Sequence, residues 1–182
     1  MRVVGGNWRG KPLRAPKGND TRPTTDRTRE ALFSMLSSRL DFDDLRVLDL
    51  FAGTGALGLE ALSRGAQFCL FVETQAPARA AIRDNVETCN ATGHSKIFRR
   101  DATQLGPCTG GGAYDLVFAD PPYSQGLGEQ ALDALLHGSW LAQDALIVVE
   151  EDRRAEFRAP AGFDELERRI KSDTELIFCT LS

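Results

Sequence analysis

Two short stretches of the chain carry residue types whose order suits chemistry. "DPPY" (Asp120, Pro121, Pro122, Tyr123) follows the apolar run "YDLVFA", and "DLFAGTGALGLEA" sets Gly53, Gly55 and Gly58 in a G-x-G-x-x-G arrangement. Proline fixes its own torsion, supplies no N–H and pushes its predecessor towards an extended conformation, so turn-making explains part of the first stretch. The glycines let the chain turn tightly and let a ligand approach bare backbone. Between a strand and a helix, such a loop binds a nucleotide-like cofactor. Glu73 ends the next apolar run, 20 residues after Gly53, where a carboxylate can accept hydrogen bonds from a ribose diol.

Asp49 bears on which cofactor this is. A dinucleotide brings an anionic pyrophosphate over the loop, and a carboxylate just before it would repel that charge. S-adenosylmethionine brings an ammonium and a sulfonium, which the same carboxylate attracts. The plainer role for Asp49 is a carboxylate bonded to loop N–H groups. Asp101, in "RRDATQL", ends the third strand-like run, where an adenine amino group could be met, although acids commonly end strands.

With a methyl donor in place, the tetrad acquires a task. An exocyclic amine on a nucleobase is a weak nucleophile because its lone pair is delocalised into the ring. Asp120 can accept one N–H and the Pro121 carbonyl the other, localising that pair towards the methyl group. Tyr123 offers a face on which a flipped or unpaired base can stack.

The elements that must hold these residues are set by the hydrophobic pattern. From "RVLDLF" (46–51), apolar runs of strand length alternate with helical stretches, which predicts a mostly parallel sheet with helices on both faces. "FDELERRI" and "TELIFCTL" have no helix between them and predict an antiparallel pair closing the sheet. "RVVGGNWRGKPLRAP" reads as a short β-hairpin or extended arm. "GNDTRPTTDRTRE" leads into a helix with Leu32, Met35, Leu36 and Leu40 on one face, capped by Asp26 or a nearby threonine.

At 182 residues the chain suits one main domain with an appendage, divided as residues 1–23 and 24–182. The net charge of −4 is unevenly spread: residues 1–30 hold eight basic and three acidic residues, a basic arm on an acidic body, which suggests a local polyanion contact. Arg9, Lys11, Arg14, Arg22, Arg27 and Arg29 are the candidate phosphate contacts. Trp8 either stacks on a base or anchors the hairpin. Four cysteines without a C-x-x-C pair and two histidines make a metal site improbable and fit reduced thiols. No run is long and apolar enough to span a membrane, and the first residues lack a secretory h-region, so a cytoplasmic protein is expected.

"LDLFAGTGALGLEALSRGA", "FVE", "RRDA" and "FADPPY" resemble the class I S-adenosylmethionine-dependent amino-methyltransferases. Together with "GGNWRGKPL" and "RPTTDRTRE" they make nearly the whole chain similar to the RsmD family, which methylates a guanine N2 in 16S ribosomal RNA. The resemblance implies a Rossmann-like, seven-stranded, mostly parallel sheet with a C-terminal antiparallel hairpin and a small N-terminal hairpin that helps grip RNA. It implies S-adenosylmethionine as donor and S-adenosylhomocysteine as product. Gly53 and Gly55 would line the methionine part of the cofactor, Glu73 the ribose and Asp101 the adenine. Asp49, Phe51, Ala102 and Asp120 are counted with them as cofactor contacts, and Asp120 to Tyr123 would hold the target base. The acidic body fits a narrow, arm-centred grip on 16S rRNA inside a small-subunit particle, by a monomer.

The tetrad alone does not separate guanine N2 from adenine N6 or a protein glutamine. The basic arm argues against protein substrates, and the lack of a large recognition domain argues against sequence-reading DNA enzymes. A non-catalytic RNA-binding module would not need the tetrad. A nicotinamide oxidoreductase would not suit Asp49.

Overall fold

The computed structural model describes residues 1–15, 25–109 and 112–182. Seven strands form one mixed sheet in the order β3-β2-β1-β4-β5-β7-β6, and the chain divides into two compact units, Met1–Arg99 and Arg100–Ser182.

The first unit contains α1 (Asp26–Ser37), β1 (Arg46–Leu50), α2 (Ala56–Ser63), β2 (Phe68–Val72), α3 (Ala76–Thr88) and β3 (Ser95–Phe98). Thr25, rather than Asp26, caps α1: its side chain accepts the Thr28 N–H at 3.2 Å, satisfying a donor that the first helical turn leaves without a partner. Leu32, Phe33 and Leu36 are buried on one face, and Leu40 falls beyond the helix and the turn that follows it. The strands β1, β2 and β3 pair in parallel. In β1 the last four residues are all buried, as expected of a strand covered on both sides. Seven of the eight residues of α2 are buried, whereas α3 buries only Ala78, Ala81, Ile82, Asn85 and Val86, at three- and four-residue spacing.

The expected N-terminal hairpin takes the form of an antiparallel loop with one bridge, Arg2 to Pro12, and a 3₁₀ turn over Gly6–Trp8. Pro12 has no N–H to extend a ladder, and several backbone donors of the loop go elsewhere. The Val4 N–H donates to Glu60 at 2.8 Å, the Trp8 N–H to the Ser63 hydroxyl at 2.9 Å and the Arg14 N–H to Asn85 at 2.7 Å. With Val3 and Leu13 buried, the arm is seated on α2 and α3.

The second unit contains β4 (Tyr114–Ala119), α4 (Leu127–His137), β5 (Leu141–Asp152), β6 (Phe163–Lys171) and β7 (Thr174–Leu181). The strands β4 and β5 are parallel, β7 runs antiparallel between β5 and β6, and the last two form the hairpin expected from the sequence. Its core holds Leu116, Phe118, Ile147, Phe157 and Phe178, each contributing about 1.5–3 kcal/mol by burial. Trp140 is also core: it stacks on Tyr114 with ring centroids 5.9 Å apart and donates its indole N–H to the Gly106 carbonyl at 2.8 Å. His94 and His137 are exposed and bond through Nδ1 to the carbonyl oxygens of Gln67 and Asp133. Among the described residues no helix is long and apolar enough to cross a membrane.

Candidate active site

In the first unit the glycine loop joins β1 to α2. Phe51, Gly53 and Gly55 all have positive φ, at 55°, 54° and 74°. That conformation suits glycine and strains phenylalanine, so it is held by its surroundings. The Gly53 N–H donates to Glu73 Oε2 at 2.9 Å, and the Gln75 N–H donates to the other carboxylate oxygen at 2.8 Å. The tip of β2 therefore fixes the loop. Gly58 serves packing instead: a Cβ there would lie 2.4 Å from Cys69 Sγ and 2.5 Å from the Phe71 ring.

Asp49 is buried beneath this loop and accepts the Gly58 N–H at 2.9 Å. Burial pushes its carboxyl up to about 8; the Gly58 bond lowers it, and the nearby Glu73 raises it. The first unit fits the cationic cofactor expected from the sequence in two respects. The space beside Gly53 is open except for the Phe51 carbonyl at 3.9 Å, and the Glu73 carboxyl group meets the loop at the Gly53 N–H.

Asn85, which the sequence did not single out, is fully buried in α3. Its amide donates to the carbonyls of Arg14 and Thr54, both at 2.9 Å, while its oxygen accepts the Arg14 N–H. One side chain thus ties the basic arm to the glycine loop. An asparagine on a helical apolar face was the available signal, and it is indistinguishable by sequence from a surface position.

The candidate phosphate contacts divide. Arg9, Arg14 and Arg27 are exposed and Lys11 is half-exposed. Arg14 pairs with Asp84 at 3.2 Å, and Lys11 donates to the Thr88 carbonyl at 2.9 Å. Arg29 differs: it is fully buried, donates to Asp26 at 3.0 Å and to the Arg2 carbonyl, and lies 3.8 Å from the buried Glu60. Its charge is spent inside the unit, so its phosphate contact is withdrawn. Arg22 lies outside the described residues. Trp8 is half-exposed, and the bond it makes to Ser63 is through its backbone.

In the second unit Asp101 caps a 3₁₀ turn over Ala102–Gln104, accepting the N–H and the hydroxyl of Thr103 at 2.9 and 2.7 Å. Ala102 is buried and Asp101 is exposed. The tetrad lies just beyond β4: Pro121 is buried, Asp120 and Tyr123 are half-buried, and Pro122 is exposed. Two acids at the end of β5, neither of them evident from the sequence, hold Tyr123 and Ser124. Tyr123 donates its hydroxyl to Glu150 at 3.1 Å, and the Ser124 N–H donates to Glu151 at 3.0 Å. In the sequence they are simply "EE" closing an apolar run.

The parallel strands, the glycine loop with its strand-tip carboxylate and the tetrad after β4 define a Rossmann-like fold of the methyltransferase type. Residues 1–180 match the family described as Conserved hypothetical protein 95. Ribosomal RNA small subunit methyltransferase D of Escherichia coli is 40% identical over 152 residues, 84% of this chain and 75% of its own length. YlbH of Bacillus subtilis is 39% identical over 168 residues, 89% of this chain and 88% of its own. The solved structure of yhhF from Escherichia coli superposes with a TM-score of 0.84 at 34% identity, covering 100% of this chain and 98% of that one. The chain belongs to this family, that of ribosomal RNA small subunit methyltransferase D.

Proposed function

We propose that the protein transfers a methyl group from S-adenosylmethionine to the exocyclic N2 amine of a guanine in 16S ribosomal RNA. The observation that carries the reading is the tetrad Asp120–Tyr123, set directly after β4 with the Tyr123 hydroxyl bonded to Glu150 of β5, in a family that includes ribosomal RNA small subunit methyltransferase D.

The cofactor, when bound, supplies an electrophilic methyl group. Asp49, Phe51, Gly53, Gly55, Glu73, Asp101 and Ala102 are the residues assigned to contact it. Asp120 and the Pro121 carbonyl accept the two amine N–H groups, which leaves the nitrogen lone pair free to attack. Tyr123 stacks on the guanine. Transfer would exchange the methyl's bond to sulfur for one to the amine nitrogen, with the neutral thioether of S-adenosylhomocysteine leaving. The amine becomes acidic as this happens and its proton passes to Asp120 or to water, so no strong base is required. Asp120 is counted with the cofactor contacts as well.

Arg9, Lys11, Arg14, Arg22 and Arg27 would contact RNA phosphate, with residues 1–23 acting as an RNA-gripping arm on a catalytic domain of residues 24–182. The same reading takes the substrate to be rRNA inside a small-subunit particle, and the enzyme to be a cytoplasmic monomer.

The test is transfer of labelled methyl to unmodified small-subunit particles, with naked rRNA and DNA alongside, and with nucleoside analysis of the products. N2-methylguanosine in particle RNA is expected. Label in N6-methyladenosine would overturn the substrate assignment while keeping the amine chemistry.

A further inference from the structure

Glu151 stands out among the charged groups to which the proposed chemistry gives no role. It is 1% exposed at the end of β5. One oxygen accepts two backbone N–H groups, from Ser124 at 3.0 Å and Asp152 at 2.9 Å. The other oxygen, Oε2, is buried and has no hydrogen-bond partner among the described residues. Its cross-strand neighbour Glu175 is also buried, but Arg168 meets that carboxylate at 2.6 Å. No Lys or Arg ion pair of the described residues reaches Glu151. Burial raises its carboxyl above the ordinary value, and Glu129 and Asp152 nearby add to this.

A buried acid without a cation and with one oxygen unsatisfied weakens a fold. An apolar residue would suit the strand end better if packing were the only requirement, so the position calls for another explanation. That explanation lies in the satisfied oxygen and the loop it holds. Ser124 is a non-glycine residue at φ 61°, immediately after the tetrad, and Gly126 has a φ of 65°. The backbone there turns through a conformation that a serine does not choose unaided. Consecutive strand residues project to opposite faces, so Glu150 and Glu151 reach Tyr123 and Ser124 from either side of the strand end.

We propose that Glu151 is a positioning residue of the target-base site: by accepting the Ser124 N–H it fixes the 120–126 loop, and so the aim of Asp120 and Tyr123 at the base. The assignment rests on the proposed methyltransferase function. It treats the side chain as a hydrogen-bond acceptor rather than a charge, so glutamine, whose amide oxygen accepts the same two N–H groups, must replace it.

The first measurement needs no variant and no substrate. Amide hydrogen exchange on the wild-type protein should show Ser124 protected, and fast exchange there would overturn the clamp. In Glu151→Leu, the Ser124 amide should exchange at least about 10-fold faster, and kcat for methyl transfer should fall about 10- to 100-fold, the scale of a small misplacement of reacting groups. The S-adenosylmethionine Kd should change far less than kcat, because Asp120 alone of the proposed cofactor contacts lies in this loop. Glu151→Gln should keep both protection and kcat within threefold of wild type. Unchanged kcat in a folded Leu variant, or equal losses in Leu and Gln, would overturn the proposal. A wild-type protein inactive on every RNA tested would count against the methyltransferase function, and the amide measurement would still decide the clamp.

Discussion

The Gly53 N–H donates to Glu73 Oε2 at 2.9 Å, so the carboxylate expected to meet a ribose also shapes the loop that would hold the rest of the cofactor. Hydrogen bonds to a charged group contribute about 1.5–3 kcal/mol. Glu73→Ala should therefore raise the S-adenosylmethionine Kd by about 10- to 150-fold, as read by calorimetry. An affinity within threefold of wild type would remove Glu73 from the site.

Asp49 gives a pH dependence with a definite sign. Its carboxyl is raised to about 8 in the folded protein from an ordinary 3.8, so the unfolded chain releases this proton first. Its contribution to stability is fully present below pH 3.8 and is lost as pH rises towards about 8. Asp49→Asn should gain melting temperature over wild type at pH 8 and gain little at pH 4. If the ionised carboxylate meets the cofactor's ammonium, binding at pH 7 must also release a proton. Calorimetry in two buffers of different ionisation enthalpy would reveal it, and Asp49→Asn should abolish it.

Gly58 and Gly93 make a matched pair for a packing test. A methyl group at Gly58 would press within 2.4 Å of Cys69 and 2.5 Å of Phe71, whereas at Gly93 it meets nothing within 4 Å. Gly58→Ala should cost about 1–3 kcal/mol by overpacking, and Gly93→Ala should stay within about 0.5 kcal/mol of wild type. Denaturant unfolding decides.

Asn85 makes the arm and the glycine loop partners of one buried amide. Asn85→Ala leaves the Arg14 N–H and the carbonyls of Arg14 and Thr54 without that partner, a loss of about 1–3 kcal/mol. Trypsin should then cut after Arg9 or Arg14 faster than in wild type, and cofactor affinity should fall with it. Unchanged cleavage would mean that the bonds to Glu60 and Ser63, with the buried Val3 and Leu13, hold the arm without Asn85.

How far the chain is legible from sequence depends on the range of the interaction. The parallel strands and the closing antiparallel pair were legible because Val47–Leu50, Phe118 and Ile147 lie in runs whose period reflects burial. The glycine loop was legible because its backbone demands a residue type. Partnerships between distant side chains were not. Arg29 resembles its exposed neighbour Arg27 in sequence, and only the placement of Asp26 and Glu60 around it turns it inward. Asn85, Glu150 and Glu151 likewise gain meaning from what other elements bring to them. The N-terminal arm fell between these cases: its turn residues were visible, but the side chains of α2 and α3 that take up its backbone donors were not.

The acceptor role of Asp120 is central to the proposed chemistry, and single-turnover methyl transfer to small-subunit particles at saturating S-adenosylmethionine measures it most directly. Asp120→Ala, folded and still binding cofactor, should lose at least about 100-fold in rate and form no N2-methylguanosine on the wild-type timescale. A variant that methylates guanine N2 at the wild-type rate would contradict that role.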